Sequence, residues 1–181
     1  NFKDFLIYFK PKSRVTGDFY WISKASDKIV MAVSDCTGHG VPGAFMTMLG
    51  YSFLNEIVNK EHITEPDLIL NELREHVIST LHQEGKIYEQ KDGMDMAIVM
   101  IDKKNKRLKF SAANNSICYI PTRDDVDDKK VIEFKGDRMP ISFHYKMRRF
   151  SLLEFDIREG DKFYLYTDGF IDQFGGSNGD I

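Results

Sequence analysis

Ile29-Val30-Met31-Ala32-Val33-Ser34-Asp35-Cys36-Thr37-Gly38-His39-Gly40-Val41-Pro42-Gly43-Ala44 passes from an unbroken apolar run, through an acidic glycine-rich turn, into a periodic segment. The run Ile29–Val33 is apolar on both faces of a strand, which predicts burial on both sides. After Gly38-His39-Gly40, the residues Phe45, Leu49, Phe53 and Ile57 recur at every fourth position, and Met46, Leu54 and Val58 widen the stripe. That spacing predicts an amphipathic helix. Working outward, residues 18–24 read as a strand joined to 28–34 by a turn at Ser26-Asp27. A second helix carries Leu70, Leu73, Val77 and Leu81 on one face. Thr64-Glu65-Pro66-Asp67 supplies its N-cap, capping carboxylate and helix-compatible proline, and Gly85 its stop. Beyond residue 93 the pattern is strands: Met94–Ile101 and Arg107–Ala113 as a hairpin around Lys103-Lys104-Asn105-Lys106, then Ser116–Ile120, 131–134, 147–155 and 162–167. Asp124–Lys130 reads as a charged loop. Two strands, two helices and then many strands make an α+β fold with antiparallel sheets. The helices must cover one sheet, and the doubly apolar strands require a second layer on their other face.

The chain has 181 residues, the size of one domain, and no repeat or linker marks a boundary inside 1–181. Hydrophobic residues make up 42%, with 14 Phe, 8 Tyr and 1 Trp, enough for a core and too many for a disordered chain. The formal charge of −3 gives no basic footprint for nucleic acid. No apolar run approaches the roughly 20 residues of a membrane helix, and no signal peptide opens the chain. Cys36 and Cys118 are too few for a disulfide framework and fit a reducing, cytoplasmic compartment. A start at Asn1 and an end at Ile181, just after a glycine-rich stretch, read as a piece of something longer.

Three acidic sites share one grammar: Gly17-Asp18-Phe19-Tyr20, Ser34-Asp35-Cys36-Thr37-Gly38-His39-Gly40 and Thr167-Asp168-Gly169. Aspartate is a poor strand residue, so at strand ends each is either a turn former or a ligand. Carboxylates converging from distant positions suit Mg²⁺ or Mn²⁺, which take oxygen donors. Other phosphate chemistries fail. Gly38 and Gly43 have P-loop spacing, but Ala44-Phe45 stands where Lys-Ser/Thr is required. The sixth residue after Cys36 is Pro42, where a cysteine phosphatase loop needs an arginine. The five histidines lack zinc-site spacing. His39, just before a helix, can cap, pack or transfer a proton.

With these residues the chain resembles the metal-dependent protein phosphatases (PPM), in the bacterial branch typified by stage II sporulation protein E. The matching pieces occur in order: Lys12 with Val15-Thr16-Gly17-Asp18-Phe19-Tyr20-Trp21, Ser34 to Pro42, Asp92-Gly93-Met94-Asp95-Met96-Ala97, Ala112-Ala113-Asn114-Asn115, Gly136-Asp137-Arg138-Met139-Pro140-Ile141, and Thr167-Asp168-Gly169-Phe170. The resemblance implies an αββα sandwich, two antiparallel sheets flanked by helices, with two Mn²⁺ or Mg²⁺ ions at one end. By position, Asp35 would bridge both ions, the Cys36 carbonyl and Asp18 would serve one, and Asp168 the other. The activity implied is hydrolysis of phosphoserine or phosphothreonine by a water that the ions activate. Lys12 and Arg14 could steady the phosphate, or could be solvated edge charges.

Two departures accompany the resemblance. The family carries a further metal-binding Asp some tens of residues beyond the Asp168 motif, whereas this chain ends 13 residues after Asp168. The expectation is therefore a C-terminally incomplete domain with a weakened second metal. Asn114 is neutral where some relatives hold a third ion, so no third ion is expected there. Asp95, inside an apolar strand, needs a partner, and the resemblance assigns it no ligand role. The partners implied are a phosphorylated signalling protein of the anti-anti-sigma kind and a sensor or receiver domain in a parent chain, itself free or membrane-tethered. A homodimer is also admitted. The competing readings are a pseudophosphatase that binds a phosphoprotein without turnover, and an α+β domain whose aspartates are turns.

Overall fold

The structure, a computed structural model, describes residues 5–11, 15–86, 92–122 and 131–172. Strands β1 (Phe19–Ala25) and β2 (Lys28–Cys36) form a hairpin in which Ala25 faces Lys28. Ser26, at φ 57°, takes the left-handed conformation that the two-residue turn requires. Helix α1 (Gly40–Leu54) continues as a π-helical stretch, Asn55–Lys60, and α2 spans Pro66–Thr80. Strands β3 (Met94–Asp102), β4 (Arg107–Ala113), β5 (Ser116–Ile120), β6 (Ile132–Lys135), β7 (Leu153–Asp156) and β8 (Lys162–Leu165) follow, and a four-residue helix, α3 (Asp168–Ile171), comes last. A five-stranded sheet has the order β1-β2-β3-β4-β7 and a three-stranded sheet the order β6-β5-β8; every strand pairing is antiparallel.

The two cores follow from strand alternation. On β3, Met94, Met96, Ile98 and Met100 pack with Trp21, Val30 and Ala32 against Leu54, Ile57, Val58, Ile69, Leu70, Leu73 and Val77 of the helical layer. The intervening Ala97, Val99 and Ile101 face the other way and pack with Leu108, Phe110 and Ile117 against Phe134, Phe163 and Leu165 of the second sheet. Burial of each such Leu, Ile or Phe contributes about 1.5–3 kcal/mol. The expected second layer is present; β3 is buried on both faces along most of its length, and β4 is so over Phe110–Ala113. On β2 only Val30, Ala32, Ser34 and Cys36 are fully buried, while Ile29, Met31 and Val33 are half-buried. Among the described residues the long helices all cover the five-stranded sheet, and no helix is long and apolar enough to cross a membrane.

Some local expectations shift. The buried face of α1 is Gly43, Met46, Gly50 and Leu54, and Phe45, on the expected stripe, is 62% exposed. The reason is close approach: a Cβ on Gly50 would lie 3.0 Å from the Phe19 ring and 3.2 Å from the Met94 methyl, so the helix rests on the sheet through a glycine. The N-cap of α2 is Glu65, not Thr64, with Pro66 in the first turn. Thr64 instead accepts from Lys28 Nζ at 3.0 Å, and Glu65 accepts from Lys109 Nζ at 2.7 Å. The strand expected at 147–155 shortens to Leu153–Asp156 because Arg148 and Ser151 are engaged by the buried Asp137. The loop 124–130 lies outside the described residues.

Candidate metal centre

Antiparallel pairing brings the start of β1, the end of β2, the start of β3 and the end of β4 to one edge of the large sheet. Pairing of Ile117 with Leu165 brings the end of β8 alongside Asn114 and Asn115, which lead into β5. Asp35 and Asp95 are cross-strand partners. By alternation both lie on the side of the sheet that carries Ala97 and Val99, toward the second sheet. Asp18, immediately before β1, and Asp168, two residues beyond Tyr166, complete the group.

The electrostatics show how close the four are. Asp35 is pushed up to about 7, first by burial, then by the charge of Asp18, a hydrogen bond shared with Asp168, and the charges of Asp168 and Asp95. Asp18 is raised chiefly by burial and further by Asp168, against a hydrogen bond with Thr167. Asp95 is also raised by burial and by Asp168, while Asn114, donating from Nδ2 to Asp95 Oδ1 at 3.0 Å, acts the other way. Like charges placed opposite one another destabilise a sheet, so the fold concentrates negative charge at this end of the strands.

Cys36 contributes no thiolate. Its thiol is buried, and burial pushes it up to about 12 despite hydrogen bonds with Thr47 and Ser34. Its main chain is held tightly: Cys36 N donates to Gly17 O at 3.2 Å, and a Cβ on Gly17 would lie 2.7 Å from the Cys36 carbonyl oxygen. Only glycine at position 17 allows the Asp18 segment to lie this close to the Cys36 carbonyl. Thr37 N donates to Gly93 O at 2.9 Å and Gly93 N to Thr37 Oγ1 at 3.1 Å, tying the turn after β2 to the lead-in of β3.

This donor set fits a divalent cation. Among the described residues Asp18 Oδ1 is buried without a hydrogen-bond partner, the carboxyls are raised by burial and then by one another's charge, and carboxylate and carbonyl oxygens are what Mg²⁺ and Mn²⁺ prefer. Among the described residues no three acidic, His or Cys side chains converge on one point closely enough to hold an ion by themselves. The ligand-free carboxylates interact through charge and a shared hydrogen bond instead.

The structure thus brings Asp18, Asp35 and Asp168 together with the Cys36 main chain beside them. Lys12 and Arg14 lie outside the described residues. His39 is the N-cap residue of α1, exposed, with no capping bond from its side chain. Asp95 joins the group although its sequence context suggested no role. Its placement at the start of one strand, opposite Asp35 at the end of another, was the available signal.

A model of the stage II sporulation protein E (SpoIIE) family matches residues 25–181. The SiaA PP2C domain of Pseudomonas aeruginosa is 33% identical, with a TM-score of 0.78 over 94% of this chain and 63% of that one. The chain therefore spans less than two thirds of the length of that relative. The PP2C phosphatase domain of SpoIIE from Bacillus subtilis shares the fold at 17% identity, with a TM-score of 0.66 over 87% of this chain and 41% of that one. The RsbU and RsbW domains of Rv1364c from Mycobacterium tuberculosis do so at 18% identity, with a TM-score of 0.66 over 92% and 42%. Comparison with curated protein sequences gave no match. The paired antiparallel sheets and their helices are the PP2C fold.

Proposed function

The chain belongs to the stage II sporulation protein E family, and from that premise we propose that residues 1–181 act as the catalytic domain of a metal-dependent protein serine/threonine phosphatase. The observation that carries this reading is the convergence of Asp18, Asp35 and Asp168 at one end of the sheets, with a buried carboxylate oxygen that has no hydrogen-bond partner among the described residues.

Asp35 is the carboxylate we assign to bridge two Mn²⁺ or Mg²⁺ ions, because it interacts with both Asp18 and Asp168. Asp18 and the Cys36 carbonyl would hold one ion and Asp168 the other. Such ions, when bound, acidify water and neutralise phosphoryl charge. The chain's own share is to gather the carboxylates, to keep the Cys36 thiol protonated and out of the chemistry, and to bind the phosphate through Lys12 and Arg14. His39, exposed at the head of α1, is the residue we assign to deliver a proton to the departing serine or threonine oxygen. The substrate would be a phosphorylated bacterial signalling protein of the anti-anti-sigma kind. That RsbU and RsbW domains occur in one M. tuberculosis chain supports a setting among regulatory domains, in the cytoplasm.

Phosphate release from a phosphoserine protein, with and without Mn²⁺, tests the reading. Release that requires Mn²⁺ and disappears in Asp35→Asn supports it. Tight binding of the phosphoprotein with Mn²⁺ bound and no release would establish a phosphoprotein-binding module instead.

A further inference from the structure

We propose that Asn114 is a positioning residue for the metal centre and acts through Asp95; the proposal rests on the metal-dependent reading above. Asn114 follows β4 at φ 50°, a left-handed conformation that asparagine tolerates better than most residues. Its backbone N–H donates to the Asp137 carbonyl at 2.8 Å. Asp137 is itself fixed. It is buried, its own N–H donates to Ala112 O at 2.9 Å, and its carboxylate accepts from Arg148 Nη2 at 2.8 Å and from Ser151 N at 2.6 Å. The Asn114 side chain therefore starts from an anchored backbone, and its Nδ2 reaches Asp95 Oδ1 at 3.0 Å.

The chemistry of the donor matters. Asp95 stands opposite Asp35 and within the field of Asp168, so without a restraint it would turn away from them. A lysine here would hold it but would bring a positive charge that competes with a cation. A neutral amide fixes one carboxylate oxygen without altering the charge of the site. Partners of this type orient the groups that face a metal, and their loss typically weakens metal binding roughly 10–100-fold.

Mn²⁺ binding, measured by titration calorimetry on the chain and on Asn114→Gly, Asp95→Ala and the double variant, tests the proposal. Glycine keeps the left-handed backbone and removes only the donor. Asn114→Gly should weaken Mn²⁺ binding roughly tenfold, Asp95→Ala at least as much, and the double variant no more than Asp95→Ala alone. A role for Asn114 independent of Asp95 would make the two losses add, and additivity overturns the proposal, as does unaltered Mn²⁺ affinity in Asn114→Gly. If the unsubstituted chain binds no Mn²⁺, the metal-dependent reading falls and takes this proposal with it. In the unsubstituted chain, the Asn114 side-chain amide resonances should shift on addition of Mg²⁺; resonances unmoved at saturating Mg²⁺ also overturn it.

Discussion

Asp35 is drawn out of water, feels the charge of Asp18, shares a hydrogen bond with Asp168 and sits opposite Asp95, so the fold holds its proton up to about 7. A carboxyl raised in the folded state stabilises the fold most below the unfolded value of about 4, and that stability is lost as pH rises through about 7. The metal-free chain should therefore melt at lower temperature at pH 8 than at pH 5. With Mn²⁺ the trend should reverse, because binding requires the deprotonated carboxylates; melting curves in EDTA and in Mn²⁺ across that range check both signs. Asp35→Asn should lower phosphate release at least about 100-fold and leave the metal-free melting temperature unchanged or higher, since it removes a repelled charge. Cys36→Ala should leave turnover within about twofold and cost about 1 kcal/mol of packing; a large loss of turnover would point to a role for the thiol. At this scale Asp18, Asp35 and Asp168 were legible from their glycine-flanked strand ends. Asp95 was not, because its partners are set by strand register and by an asparagine 19 positions away.

Helix α1 shows where apolar periodicity errs in detail. Of the stripe it predicts, Met46, Leu54, Ile57 and Val58 are buried and Leu49 and Phe53 pack against the core. Phe45 is exposed, because the helix seats itself through Gly43 and Gly50, which hydropathy does not register. The order of the elements and the β3–β4 hairpin were legible because alternation and turn chemistry are local. The start of the strand expected at 147–155 was not, since Asp137 engages Arg148 and Ser151 from more than ten residues away. Gly50→Val should destabilise by about 1–3 kcal/mol, because the added atoms meet the Phe19 ring and Met94. Phe45→Ser, on the exposed side, should change stability by no more than about 0.5 kcal/mol. Chemical denaturation of the two variants separates the faces, and the opposite ranking would restore the stripe read from periodicity.

On the scale of the whole molecule, the helical layer and the second sheet pack on opposite faces of the large sheet, most fully along β3. Leu73, fully buried between α2 and the large sheet, represents the first core; Leu73→Ala should cost about 2–5 kcal/mol, read by denaturant unfolding. Arg74, also on α2, donates to Arg148 O at 2.9 Å and lies 4.7 Å over the Phe150 ring. The helical layer is thereby tied to the segment that holds Asp137, and so to the base of Asn114.

Because β3 is hydrogen-bonded to a neighbour along both edges and covered on both faces, its backbone amides cannot reach solvent through fraying. Deuterium should enter Met96–Ile101 only when the whole chain opens, while the exposed Gly38 and His39 exchange orders of magnitude sooner. A cation captured at the end of that strand would slow both clocks, the inner one by the full linkage of binding to unfolding. The lag of the β3 amides thus becomes a direct gauge of how tightly the ion is held.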